Sequence, residues 1–260
     1  MRLQIRYAAT AGADAVKFQW TSDGRALAWQ RGSAKDGYGE LYSRLIAWPE
    51  EWHEILAATC QDEGVDYLCT AYLSRDVDVV AQHVRHFKIA SFEALSVSLL
   101  RAYKLHTLGS DRKLIVSTGM CGERDIVTIK SVCDWLSRDR LVLMQCTSSY
   151  PTPLADMHLS TLRRYGLTGY SDHTSPEVCE SGAWAVAAGA EMVEAHVKLL
   201  STSKDNPDEP HAMMPDQFVR YVDEVRRMEV VMGDSRKRLH ESEQAMARYR
   251  SHASENASET

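Results

Sequence analysis

The sequence predicts an α/β fold of the parallel (β/α) barrel kind, one strand short of a closed ring of eight. Three observations carry this. Short apolar runs rich in β-branched residues alternate with longer stretches of helical spacing, the pattern of parallel strands covered by helices. Seven such units fit into 260 residues, a normal size for a barrel built as one domain. The polar residues of the strands gather in their C-terminal halves, where the loops of a parallel barrel converge on one mouth.

In chain order, residues 3–11 read as the end of a helix with no strand before it, and 15–20 (AVKFQW) as the first strand. The segment 21–39 is polar and bears glycines, so it reads as a long loop at the active face. Helical spacing over 50–63 leads to a strand at 67–72, and a strand at 87–91 leads to a helix over 92–108. Strands at 114–118 and 141–147 flank a helix over 123–137. After a strand at 167–172, Ser175 reads as the cap of a helix over 176–189, with Pro176 in its first turn and Gly189 ending it. A last strand spans 192–199, and Gly233 stops the final barrel helix. The expected division is a barrel domain over 1–233 and a charged, Ser-rich tail over 234–260, helical or loose.

Composition narrows the function classes. Thirty Lys and Arg stand against 36 Asp and Glu, a net charge of −6, which argues against a broad nucleic-acid face. The six cysteines lie far apart with no CxxC pair, so buried free thiols are expected rather than disulfides or zinc ligands. No apolar run approaches a membrane span, and the first residues lack a signal-peptide pattern. A cytoplasmic protein is expected.

The strand ends suggest the chemistry. Lys17 and Gln19, Thr70, Lys88 and Ser91, Ser117, Thr147 and Ser148, Ser171, Asp172 and His173, and His196 with Lys198 all fall near the expected mouth. A buried lysine is costly without an anion, so two lysines amid hydroxyls suit a phosphate or carboxylate. His173 and His196 stand on adjacent strands and read either as hydrogen-bonded core histidines or, beside Asp172 and Glu194, as ligands for Mn²⁺, Mg²⁺ or Zn²⁺. Glu93 suits proton transfer in a partly desolvated mouth, or simply favours the N-terminus of the helix after it.

Several runs together resemble one family. GADAVKFQ at 12–19, FKIASFE at 87–93, VSTGM at 116–120, CTSSYPTP at 146–153, GYSDHT at 169–174 and EAH at 194–196 are similar, in order and spacing, to the phosphoenolpyruvate-dependent sialic acid synthases, which include legionaminic and pseudaminic acid synthases. The likeness spans about 4–235. It implies a TIM-type (β/α)8 barrel that condenses phosphoenolpyruvate with an N-acylated amino sugar such as N-acetylmannosamine, yielding a nine-carbon 2-keto acid and phosphate. By that likeness Lys17, Lys88, Ser91, Ser117, Ser148 and Ser171 hold phosphoenolpyruvate. His173 and His196 bind a divalent metal, Mn²⁺ with Mg²⁺ as the alternative. Gln19, Thr70, Tyr150 and Asp208 contact the sugar or the metal's water shell, and Glu93 leads for proton transfer. The family is usually dimeric.

Three departures stand beside the likeness. The family opens with a strand of the type AEIGxNHxG, whereas this sequence starts inside the following helix. No C-terminal antifreeze-like domain is expected here, although Ser242-Glu243 and 248–251 resemble the linker to one. The family commonly has Asn where Ser148 stands, and its Asp-His pair is replaced around Asp208-Glu209-Pro210-His211, where His211 offers an imidazole. Besides an active synthase, two readings are therefore carried: a non-catalytic or partner-dependent relative that binds ligand without turnover, and a barrel running another aldolase-like reaction with pyruvate.

Overall fold

The computed structural model describes residues 1–251; the end of the expected tail, 252–260, lies outside them. Seven strands occur among the described residues: β1 (Ala15–Trp20), β2 (Asp66–Ala71), β3 (Phe87–Ile89), β4 (Leu114–Ser117), β5 (Leu141–Cys146), β6 (Gly169–Ser171) and β7 (Met192–Glu194). They pair in sequence order and every pairing is parallel. No backbone pairing joins β7 to β1 among these residues. The sheet nevertheless curls until the two edges face each other, because Lys17 on β1 reaches Glu194 on β7 at 2.6 Å.

Alternation along the strands separates two apolar layers. Leu114 and Val116 on β4 and Leu143 on β5 point outward into the main core, with Phe87, Ile89, Leu99, Leu100 and Tyr103. Ile115, Val142 and Met144 point inward and fill the barrel interior with Leu68 and Met192. Lys88 lies between two outward residues and so points in, and the register sets Gln19 beside Thr70 and Thr70 beside Lys88. The same period that buries the core thus lines up polar groups above it.

The strand and helix order expected from sequence holds, with corrections where side chains compete for the backbone. Segment 21–39 is not a plain loop: a helix Gly24–Gln30 is capped by Asp23, which accepts from the Arg25 and Ala26 amides, and a helix Tyr38–Leu45 follows. Leu27 supplies the reason, being fully buried against Tyr72 and Leu73. The single helix expected over 92–108 breaks into a turn Ser91–Glu93 and helices Val97–Ala102 and Lys104–Thr107, because Glu93 turns inward to an ion pair and Ser96 caps a new start. The helix expected from Pro176 begins at Ser181, whose hydroxyl is held by Asp172 at 2.5 Å. Gly189 ends that helix with φ +112°, as expected.

The last barrel helix, Pro215–Met232, stops at Gly233. Beyond it the described tail carries only the turn Glu241–Glu243 and the short helix Gln244–Ala247, and its side chains are almost all exposed. All six cysteines are free thiols, five of them buried. No helix of the described residues is long and apolar enough to cross a membrane.

Candidate active site

A cleft of about 1610 Å³ opens at the C-terminal ends of the strands and continues down the unpaired side between β1 and β7. Its lining includes Lys17, Gln19, Thr70, Lys88, Ser91, Ser117, Tyr150, Ser171, His173, His196 and Asp208. Eleven of the thirteen residues singled out from sequence therefore share one cavity. The other two, Glu93 and Ser148, stand just behind its wall.

One end of the cleft is basic. Lys88 is buried and donates to Ser117 Oγ at 2.7 Å and to the Ile89 carbonyl at 3.2 Å. Lys17 donates to Glu194 at 2.6 Å, Lys88 Nζ lies 3.6 Å from the same carboxylate, and Ser171 donates to it at 3.1 Å. Burial pushes the Lys88 ammonium down to about 8, with Glu194 opposing the shift. Burial also disfavours an ionised Glu194, but Lys17 and Lys88 overcome it and hold the carboxyl well below its usual range. Ser91 accepts from the Gly119 amide at 3.1 Å. A Cβ on Gly119 would press on the hydroxyls of Ser148 and Ser91, the latter at 2.8 Å, so only glycine lets these groups meet. The hydroxyls of Ser148 and Thr70 are buried without a hydrogen-bond partner, a state that costs free energy until a ligand satisfies them.

A second wall is built from residues that sequence reasoning partly missed. Arg31 pairs with both oxygens of Glu93, at 2.7 and 2.9 Å, and its guanidinium packs on the rings of Tyr42, Tyr72 and Phe92. Burial raises the Glu93 carboxyl, and Arg31 offsets part of that. Arg31 sits in the segment taken for a loop, where nothing in the local pattern marks it as buried. Tyr72 donates to Gln19 Oε1, and Gln19 donates to Asp208 at 3.2 Å. Burial pushes the Tyr150 phenol up to about 12, so it stays a donor at neutral pH.

Histidines make the third wall. His173 Nδ1 donates to the Thr147 carbonyl at 2.9 Å, and His196 Nδ1 lies 3.4 Å from Asp208 Oδ2. Burial opposes an ionised Asp208, and His196 more than compensates, so its carboxyl stays below the usual range. His211 joins them: one ring nitrogen from each of His173, His196 and His211 lies within 4.8 Å of the others. The two carboxylates expected beside the histidines are not part of this group. Asp172 accepts from Thr174 N, Ser181 Oγ and Tyr221 Oη, and Glu194 is held by the lysines. Lys198, also noted near His196, is paired with Glu209 at 3.1 Å instead.

Comparison with known proteins gives a consistent picture. Residues 4–237 match the NeuB family. The sequence is 31% identical over 256 residues to the pseudaminic acid synthase of Campylobacter jejuni, covering 91% of this chain and 71% of that one. It is 30% identical over 260 residues to the N,N'-diacetyllegionaminic acid synthase of Legionella pneumophila, covering 92% and 71%. Among solved structures, an N-acetylneuraminic acid synthetase from Leptospira borgpetersenii superposes with a TM-score of 0.82 at 25% identity, over 95% of this chain and 84% of that one.

Proposed function

This chain belongs to the NeuB family, the sialic acid synthases, and from that membership we propose that it condenses phosphoenolpyruvate with the open-chain aldehyde of an N-acylated amino sugar, N-acetylmannosamine or a relative. The products are a nine-carbon 2-keto sugar acid and inorganic phosphate. The observation that carries this reading is the meeting, in one cleft, of a paired-lysine anion site with a histidine cluster.

Each residue has a task in that reaction. Lys17 and Lys88, with the hydroxyls of Ser91, Ser117, Ser148 and Ser171, neutralise and orient the phosphate and carboxylate of phosphoenolpyruvate. The unpartnered Ser148 and Thr70 hydroxyls fit a polar substrate that completes their bonding. Gln19, Thr70, Tyr150 and Asp208 line the side where the sugar lies, and Tyr150 offers a phenolic proton. In the reaction C3 of phosphoenolpyruvate bonds to the aldehyde carbon, the aldehyde oxygen takes a proton, water adds at C2, and the C–O bond to phosphate breaks. Glu93 is the group assigned to proton transfer, and Arg31 fixes where its carboxylate points. His173 and His196, both lining the cleft, would hold a divalent cation, Mn²⁺ or Mg²⁺. Such a cation, when bound, polarises a carbonyl oxygen as a Lewis acid.

The same reading takes the curled parallel sheet as a barrel of the TIM type. It takes 1–233 as the barrel domain and 234–260 as a tail or linker. It also places the protein in the cytoplasm, as a homodimer. The test is phosphate release from phosphoenolpyruvate by purified protein with N-acetylmannosamine and Mn²⁺. Release should require all three and vanish with chelator and in His173→Ala and His196→Ala. Folded, metal-loaded protein that releases no phosphate with any N-acylated amino sugar would refute the proposal.

A further inference from the structure

We propose that His211 is a third protein ligand to the cation, so that the site is a three-imidazole one that prefers a borderline divalent ion such as Zn²⁺ or Co²⁺ over Mn²⁺. This inference rests on the reading that His173 and His196 hold a metal.

His211 is only 2% exposed, and neither of its ring nitrogens has a hydrogen-bond partner; nor has His196 Nε2. A buried imidazole with both nitrogens unsatisfied is a costly arrangement for a core residue. The cost disappears if one nitrogen gives its lone pair to a cation. The neighbouring rings are set up for the same ion. A carbonyl can only accept, so the bond to Thr147 fixes the proton of His173 on Nδ1 and leaves Nε2 as the ligating atom. Asp208 beside His196 Nδ1 does the same for the second ring. Orientation of ligating histidines by a carboxylate or a carbonyl on the far nitrogen is the usual support of a metal site.

The backbone also fixes His211 against His196. The Met213 amide donates to the His196 carbonyl at 2.8 Å, and the Lys198 amide donates back to the Met213 carbonyl at 2.9 Å. The Ala212 amide donates to the Asp208 carbonyl at 2.9 Å. Two ligands and the supporting carboxylate therefore ride on one tied pair of segments. The ring centroids of His196 and His211 stand 4.6 Å apart, and Tyr150 covers His173 and His211 at 4.6 and 4.8 Å.

Metal preference follows from the donor set. The carboxylates nearby are engaged elsewhere: Asp172 by four donors, Glu194 by the lysines, and Asp208 Oδ2 by His196 and Gln19. Three neutral nitrogens remain. Imidazole donors suit zinc, cobalt and their neighbours, whereas Mn²⁺ and Mg²⁺ are served by oxygen-rich sites. Three protein ligands still leave room for a substrate oxygen, as catalytic sites require.

The experiment is titration of the metal-stripped full chain with Co²⁺, followed by visible absorption, with Zn²⁺ and Mn²⁺ affinities from calorimetry. The variants are His211→Phe, His211→Leu and His173→Ala, each checked for folding by its metal-free melting curve. Wild type should bind one Co²⁺, and Zn²⁺ more tightly than Mn²⁺. Both His211 variants should lose about tenfold or more in Co²⁺ and Zn²⁺ affinity, with an altered cobalt spectrum, while melting no lower than wild type. If the His211 variants keep wild-type affinity and spectrum while His173→Ala loses binding, the third ligand is refuted and the two-histidine site stands. If His173→Ala also binds as wild type, the metal reading of the whole cluster falls with it.

Discussion

Lys17 and Glu194 meet at 2.6 Å across the open side of the sheet, where β1 and β7 share no backbone hydrogen bond. A single charged pair, reinforced by Lys88 at 3.6 Å, thus bridges the two edges at the cleft mouth. Its carboxylate also engages the two lysines assigned to the anion, so substrate and Glu194 draw on the same cations.

Glu194→Gln should therefore strip two sheltered lysines of their counter-charge. Breaking a pair of this kind costs about 3 kcal/mol, seen as a lower midpoint in denaturant. Phosphate or phosphoenolpyruvate should restore more stability to the variant than to wild type. A variant with wild-type stability and no extra anion effect would show that the pair is solvent-screened and that its carboxylate does not compete.

Lys88 sets a pH limit on anion binding. Its ammonium is pushed down to about 8 by burial, and only the charged form attracts phosphate. Below that pH the site is ready; above it, binding must also take up a proton. Phosphoenolpyruvate affinity should fall above pH 8, approaching about tenfold per unit, and Lys88→Met should bind weakly with no slope in that window.

Acid should destabilise the fold before most carboxylates titrate. His53 is fully buried, bonded through Nδ1 to the Tyr67 hydroxyl at 2.8 Å and stacked on His83. Burial, helped by His83, lowers it to about 4. The unfolded chain then binds the extra proton, so the stability from neutral His53 is complete above about pH 6.5 and is lost as pH falls toward 4. At about 1.4 kcal/mol per unit the loss reaches roughly 3 kcal/mol. Unfolding midpoints measured across this window should drop in wild type and fall less steeply in His53→Phe.

Arg31→Leu should be among the most damaging single changes, because it leaves Glu93 buried without a partner. A loss of about 3–5 kcal/mol is expected. The double variant Arg31→Leu/Glu93→Leu should regain much of it, and the cycle of unfolding free energies measures the coupling. Equal, additive losses would show that the pair contributes little.

The sequence by itself determined the β/α order, the strands that carry Lys17, Lys88, Ser117 and Ser171, and the end of the sheet where the site gathers. These are local properties: a period of two along a strand and a parallel arrangement fix face and end together, which is why β1 was placed at its observed bounds and Lys17, Lys88, Ser117 and Ser171 fell in one cleft. Likewise Gly189 and Gly233 stop helices wherever the chain turns next. The strands expected over 87–91 and 192–199 stop at Ile89 and Glu194, so Ser91, His196 and Lys198 stand just beyond them. Only the tertiary structure decided what depends on contacts far apart in the chain. The helix Gly24–Gln30 exists because Leu27 finds Tyr72 and Leu73. Arg31 becomes a wall of the cleft only by reaching Glu93, 62 residues away. Asp172 is removed from the histidine group by Ser181 and Tyr221. His211, which the sequence offered as an imidazole near the replaced Asp-His pair, enters that group because backbone bonds tie its segment to His196. Burial and pairing are set by what arrives from elsewhere in the fold, and that information is not local to any residue.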